Sequence, residues 1–141
     1  MGGTQRKVGS IYKMNFDGNQ DVTPKGGIDY RPKYFIIIGS AEYGYYVAYI
    51  LINKSINKKF NCTKDLLDCQ FPLRVQDYPT IFKIDPSYAN LARIREIECA
   101  KLLDEAKYCG ELTDKDLALI ISSLKKSKVI SLKEKKRYGL L

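Results

Sequence analysis

The residues of this chain best suited to chemistry stand between Tyr30 and Lys33. Arg31 follows a stretch carrying Gly18, Pro24, Gly26 and Gly27, and precedes Pro32 and the apolar run Tyr34-Phe35-Ile36-Ile37-Ile38. A guanidinium stays charged, and its planar fork fits two oxygens of a phosphate. It is equally suited to bracing a loop through hydrogen bonds to backbone carbonyls. On an extended chain Lys33 alternates onto the same face as Arg31, which makes it either a second phosphate contact or a solvated edge lysine. Tyr30, beside Arg31, and Tyr43, Tyr45 and Tyr46 offer aromatic faces on which unpaired bases stack. The chain has no histidine. Ser-His and Cys-His nucleophile pairs are therefore excluded, together with imidazole acid–base chemistry. Any catalysis falls to Arg, Lys, Tyr, Asp, Glu, hydroxyls or a bound metal.

The elements that must hold these residues are short strands. Gly9 to Phe16 alternates, with Tyr12, Met14 and Phe16 on one face and Lys13 and Asn15 on the other. Asp17 to Tyr30 reads as a loop of about fourteen residues, a length that usually goes with function. Lys33 to Gly39 is apolar on both faces and predicts a central strand. A turn around Gly44 leads to a second apolar strand, Tyr45 to Asn53, antiparallel to the first. Lys54 to Leu67 is polar and basic and reads as another loop. Cys69 to Val75 and Thr80 to Asp85 read as two strands around Asp77-Tyr78-Pro79, with Pro72 marking a sheet edge. Asp85, before Pro86, suits an Asx turn better than acid–base work. Tyr88 to Ile97 is a further strand with helix as its rival, and Ala100 to Tyr108 a short helix closed by Gly110. Thr113 and Asp116 form a capping-box-like start to a helix with an apolar stripe of Leu117, Ile120, Ile121 and Leu124. Ser131 and Glu134 open a second short helix ended by Gly139. About six strands and then an amphipathic helix predict an α+β fold, mostly β: a small, strongly bent sheet or barrel plugged by the helix.

At 141 residues the chain forms a single domain, 1–141. Its net charge of +8 favours an anionic partner. Nucleic acid ranks ahead of a membrane surface, because no segment is apolar enough to span or anchor. Lys125 to Leu141 holds seven basic residues against Glu134 alone, a net +6. That run is either a solvated helix end and tail or an electrostatic contact to RNA, DNA or an acidic protein. Cysteines at 62, 69, 99 and 109 fit no zinc-site spacing. Without an apolar signal segment, reduced thiols and a cytoplasmic location are expected.

Three pieces occur in an order that resembles the PemK/MazF-like toxins, a family of bacterial endoribonucleases built on an SH3-like barrel. Gly9-Ser10-Ile11 opens a strand ending Asn15-Phe16-Asp17. A glycine-bearing loop leads to Arg31-Pro32 and an apolar strand. Later come Asp85 to Leu91 and Gly110 to Leu124, and together the pieces cover most of residues 9 to 125. The resemblance implies a barrel and helix over 8–125; residues 126–141 lie beyond it, a basic C-terminal extension with a short tail helix that the family pattern does not include. It also implies metal-free cleavage of single-stranded RNA, in which a ribose 2′-hydroxyl attacks the adjacent phosphate and leaves a cyclic phosphate. No cofactor is implied; a homodimer and an acidic antitoxin protein are. Arg31 would carry the charge stabilisation. The family's second residue is a Thr or Ser near the end of the third strand, and no Thr stands between Val47 and Ser55. Ser55 is the nearest hydroxyl and Asn53 the nearest polar group, two apart on an extended chain; both also suit the start of a turn. Lys54, between them, joins Tyr30, Lys33 and Tyr45 as an RNA contact. The same scaffold also fits a non-catalytic module binding RNA or protein. A metal-dependent enzyme would need a carboxylate cluster that the acidic residues do not form at ligand spacing.

Overall fold

A computed structural model describes residues 7–17, 30–54 and 63–141, with Asp17, Tyr30 and Arg31 placed by their backbone. The expected Asp17–Tyr30 loop, Ser55 and Cys62 fall mostly or wholly outside the described residues. Strand β1 (Ser10–Asp17) alternates as its sequence predicts, burying Tyr12, Met14 and Phe16 on one face. Strand β2 (Tyr30–Ala41) lies between β1 and β3 (Tyr46–Asn53) and is apolar on both faces from Phe35 to Ile38, because an apolar cluster covers each face of the sheet there. The remaining strands are β4 (Gln70–Leu73), β5 (Ser87–Asn90), β6 (Arg95–Glu98) and β7 (Lys107–Glu111). Their order is β4-β5-β3-β2-β1-β7, with β6 also paired to β3, and every pairing is antiparallel.

Among the described residues the sheet thus has seven strands rather than about six, and it does not close into the expected barrel. Closure requires the outer strands to meet; among the described residues β4 pairs only with β5, and β7 only with β1. Three local predictions are also corrected. Tyr88 to Ile97 does run along β3, but in two pieces: Ile52 faces Ala89, whereas Tyr49 faces Arg95. The shift in register loops out the residues around Leu91, whose N–H turns to the Cys69 carbonyl at 2.8 Å. Thr80 to Asp85 is a turn and not a strand. The N–H groups of Ile81 and Phe82 both bond the Tyr78 carbonyl, at 3.1 Å each, in place of a neighbouring strand. Gly110 does not close a helix. Helix α2 (Cys99–Glu105) ends because Ala106 is extended, and Gly110 sits in β7 opposite Ile11, at φ +147°. Before it comes α1 (Lys64–Asp68), capped by Thr63, inside the expected Lys54–Leu67 loop.

Two apolar clusters lie on the two faces of the sheet. One gathers Tyr12, Phe16, Phe35, Ile37, Tyr49 and Leu51 with Cys99 and Leu102 of α2. The other gathers Ile36, Ile38, Ile50 and Leu73 with the C-terminal third. That third contains α3 (Asp114–Lys126) and α4 (Leu132–Arg137). On α3 the predicted stripe buries Ile120 and Leu124 fully, with Leu117 and Ile121 packed beside them. Each fully buried side chain of this size contributes roughly 1.5–3 kcal/mol. The basic run is therefore anchored to the core: Ile130 and Leu140 are buried, and the Lys135 ammonium donates to the Ser127 carbonyl at 2.7 Å. At Gly39 a Cβ would stand 2.8 Å from the Tyr138 carbonyl oxygen, so only glycine lets the C-terminal turn lie this close to β2.

The tip joining β2 to β3 is unusual. Glu42, Tyr43 and Gly44 have φ of +51°, +57° and +89°, and the Tyr45 N–H bonds the Glu42 carbonyl at 3.0 Å. Left-handed backbone at a residue with a Cβ costs roughly 1–2 kcal/mol, and here two successive residues adopt it.

Candidate functional site

The polar residues of interest meet where β2 begins and β3 ends. Continuing the Phe35–Leu51 register by two residues on each strand sets Lys33 opposite Asn53. The Lys33 ammonium donates to the Asn53 side-chain carbonyl across the strands. Both are half-buried, and Lys54 follows, exposed. Asn53 also pairs through its backbone with Tyr88 of β5, which fixes the end of β3 from the other side. Arg31 lies two residues before Lys33 on β2, its backbone opposite Phe16 of β1, and Tyr30 lies opposite Asp17. The structure thus brings Arg31, Lys33, Asn53 and Lys54 to one corner, with the first of them placed by backbone alone. Ser55, the expected hydroxyl, lies outside the described residues.

Beneath the corner lies an aromatic floor. The Phe35 ring is 4.8 Å from Tyr49 and 5.8 Å from Phe16, between ring centroids, and Phe16 is 6.1 Å from Tyr49. Such edge-on and tilted arrangements suit the ring quadrupoles. They also give β1, β2 and β3 a shared base close to the corner. Burial pushes the Tyr49 hydroxyl above its ordinary value of 10.0, so it stays neutral. With its carbonyl engaged by Lys33, the Asn53 amide keeps its N–H groups as donors for an anion. Lys33 adds a point charge. Neither side chain is a carboxylate, hydroxyl or imidazole.

Tyr45 is not part of this corner. It stands at the opposite end of β3, where its hydroxyl donates to Glu98 at 3.2 Å, and that bond raises its pKa.

Asp85 accepts from Arg74 through Nε at 2.9 Å and Nη2 at 2.8 Å, and from the Val75 N–H at 3.0 Å. These donors, Arg74 foremost, hold its carboxyl down at about 2. Asp85 therefore ties the segment after β4 to the chain before β5, a role different from the Asx turn its sequence suggests.

Two polar groupings are not announced by the sequence. The Tyr78 hydroxyl accepts from the Thr113 N–H at 3.1 Å and donates to the Asp116 carboxylate at 2.5 Å. It thereby completes the cap of α3 that Thr113 begins, taking the part a Glu would play in a capping box. Burial, and then the bond to Asp116, raise its pKa to about 12. Thirty-five residues separate Tyr78 from Thr113, so no local spacing reveals the contact. A shallow pocket between α1 and the end of α3 collects Asp65, Asp68, Cys69, Lys126 and Lys128. Burial and the two aspartates push the Cys69 thiol up, which makes it a poor nucleophile. Cys69, Cys99 and Cys109 are all free thiols. Among the described residues, no three His, Cys, Asp or Glu side chains are placed to hold a metal ion, and no helix is long and apolar enough to cross a membrane.

No family model and no curated protein matches this chain.

Proposed function

We propose that this chain binds single-stranded RNA at the corner of β2 and β3 and cleaves it without a metal, as an endoribonuclease toxin of the PemK/MazF-like type. On this reading the open sheet is a divergent form of the SH3-like barrel. The protein works in the cytoplasm as a homodimer, and an acidic antitoxin protein restrains it. What supports the reading is the Lys33–Asn53 contact, which sets a cation and an amide donor side by side, two residues from Arg31. A 2′-hydroxyl attack builds negative charge on the phosphate, and preplaced cations and N–H donors stabilise that charge.

A second reading is a non-catalytic module that binds RNA or protein through the same corner. It is favoured by a specific observation: the described corner side chains, Lys33, Asn53 and Lys54, include no carboxylate, hydroxyl or imidazole to take the proton of a 2′-hydroxyl.

The deciding experiment incubates the pure protein with long mixed-sequence RNA in EDTA, beside Arg31→Ala. The toxin reading expects discrete fragments ending in cyclic phosphate from wild type, and a loss of at least about 100-fold in the variant. Intact RNA, bound in a salt-sensitive way by both proteins, overturns the enzyme and leaves the module.

A further inference from the structure

Tyr43 is fully exposed, and its backbone is left-handed (φ +57°, ψ +30°). With Gly44 behind it, it occupies the turn position where Asn precedes Gly in tight hairpins. Asn adopts that backbone readily, and a bulky ring does not. Strain kept to present an exposed aromatic ring argues for a contact outside the chain. The surroundings indicate its chemistry. Tyr45, also exposed, meets Tyr46 edge-on at 4.7 Å. The Arg137 guanidinium lies 5.6 Å over the Tyr46 ring and 5.7 Å over that of Tyr138. Lys133 is one helical turn before Arg137 on α4, and Lys136 is its neighbour; both are exposed. The carboxylates at the tip are already engaged. Glu96 accepts from Arg137 at 2.8 Å and from Tyr138 at 2.7 Å; Glu42 lies 3.6 Å from Arg137, and Glu98 accepts from Tyr45.

We infer that this tip is a second contact for single-stranded RNA, in which Tyr43 and Tyr45 stack on unpaired bases while Lys133 and Lys136 meet phosphates. The inference rests on the proposed RNA ligand and extends its path from the corner to the far end of the hairpin. Base stacking on tyrosine tolerates any sequence, because every base has an aromatic face. Paired bases are hidden within a duplex, so the tip selects single strands. The seven steps of β3 between Tyr46 and Asn53 span roughly 23 Å, so one strand several nucleotides long reaches both contacts.

The test uses a labelled 2′-O-methyl RNA 12-mer, single-stranded and as a duplex, which binds but cannot be cleaved by 2′-hydroxyl attack. Affinity is measured for the full chain and for Tyr43→Asn, Tyr43→Phe, Arg31→Ala and the double variant Lys133→Gln/Lys136→Gln. Tyr43→Asn suits the turn, so its thermal midpoint should match or exceed wild type. Its affinity for the single strand should fall about tenfold with an unchanged salt slope, while Tyr43→Phe stays within twofold of wild type. The double lysine variant should flatten the salt slope. If Tyr43→Asn binds within twofold of wild type while Arg31→Ala binds weakly, the tip contact is wrong and the corner stands. Equal loss of single-strand and duplex binding in Tyr43→Asn also overturns stacking. If wild type binds neither RNA, both the corner and the tip are overturned.

Discussion

At the tip of the β2–β3 hairpin an arginine from the last helix meets two carboxylates: Arg137 reaches Glu96 and Glu42, with Tyr138 joining at Glu96. At the other end Lys33 meets a neutral amide, that of Asn53. A carboxylate partner cancels a cation, whereas an amide only orients it. The tip's ion pairs hold the C-terminal third against the sheet, and the Lys33–Asn53 contact joins β2 to β3 at the corner. The two ends also rest on different apolar clusters. The tip is backed by α4 and the cluster containing Leu124, and the corner by the rings of Phe16, Phe35 and Tyr49.

If this division is real, variants should affect one end at a time. The largest effect is expected from Leu124→Ala, which empties a fully buried site under α3. It should cost about 3–4 kcal/mol in urea unfolding, while RNA affinity per folded molecule stays at the wild-type value. A parallel loss of affinity in fully folded protein would show that the two ends are coupled. Lys33→Met should do the reverse. RNA affinity should drop about tenfold and the salt slope by about one phosphate contact, with the urea midpoint nearly unchanged. The smallest effect is expected from Glu96→Gln. Burial works against the charge of Glu96, but the bonds from Arg137 and Tyr138 outweigh it and hold its pKa below the ordinary 4.5. A depressed carboxyl stabilises the fold above its unfolded pKa and loses that contribution as pH falls through the folded one. The variant should thus be slightly less stable than wild type at pH 7 and converge on it as pH falls below about 4.5, which flattens the acid limb. An unchanged acid limb would remove the tip's ion pair from the comparison.

Much of the fold was legible because its signals are local. The apolar run of β2 announces a strand covered on both sides. Thr113 and the stripe from Leu117 to Leu124 define α3, and Ser131 with Glu134 forms the reciprocal cap that opens α4. The misreadings have non-local causes. Alternation from Tyr88 to Ile97 cannot reveal that β3 takes partners in two registers while β5 also serves β4. Thr80 to Asp85 looks extended, yet Phe82 is drawn into the core beside Tyr78, with their rings 5.4 Å apart. Barrel closure depends on whether two distant strand edges meet, which no run of residues encodes. At the site, two-residue alternation placed Arg31 and Lys33 at like positions of one strand. That Lys33 reaches Asn53 follows from a register between strands, and the separation of Tyr45 from the corner follows from the length of β3.

An open sheet has a consequence for how copies of this protein meet. Unpaired strand edges invite further strands and, through them, aggregation. The outer strands here carry features that discourage this. β4 holds Pro72, which has no N–H to offer, and β6 is four residues long with charges at Arg95, Glu96 and Glu98. β7 is bulged at Cys109, where its register against β1 shifts by one residue between Ile11 and Tyr12. Growth of the sheet from molecule to molecule is thereby disfavoured.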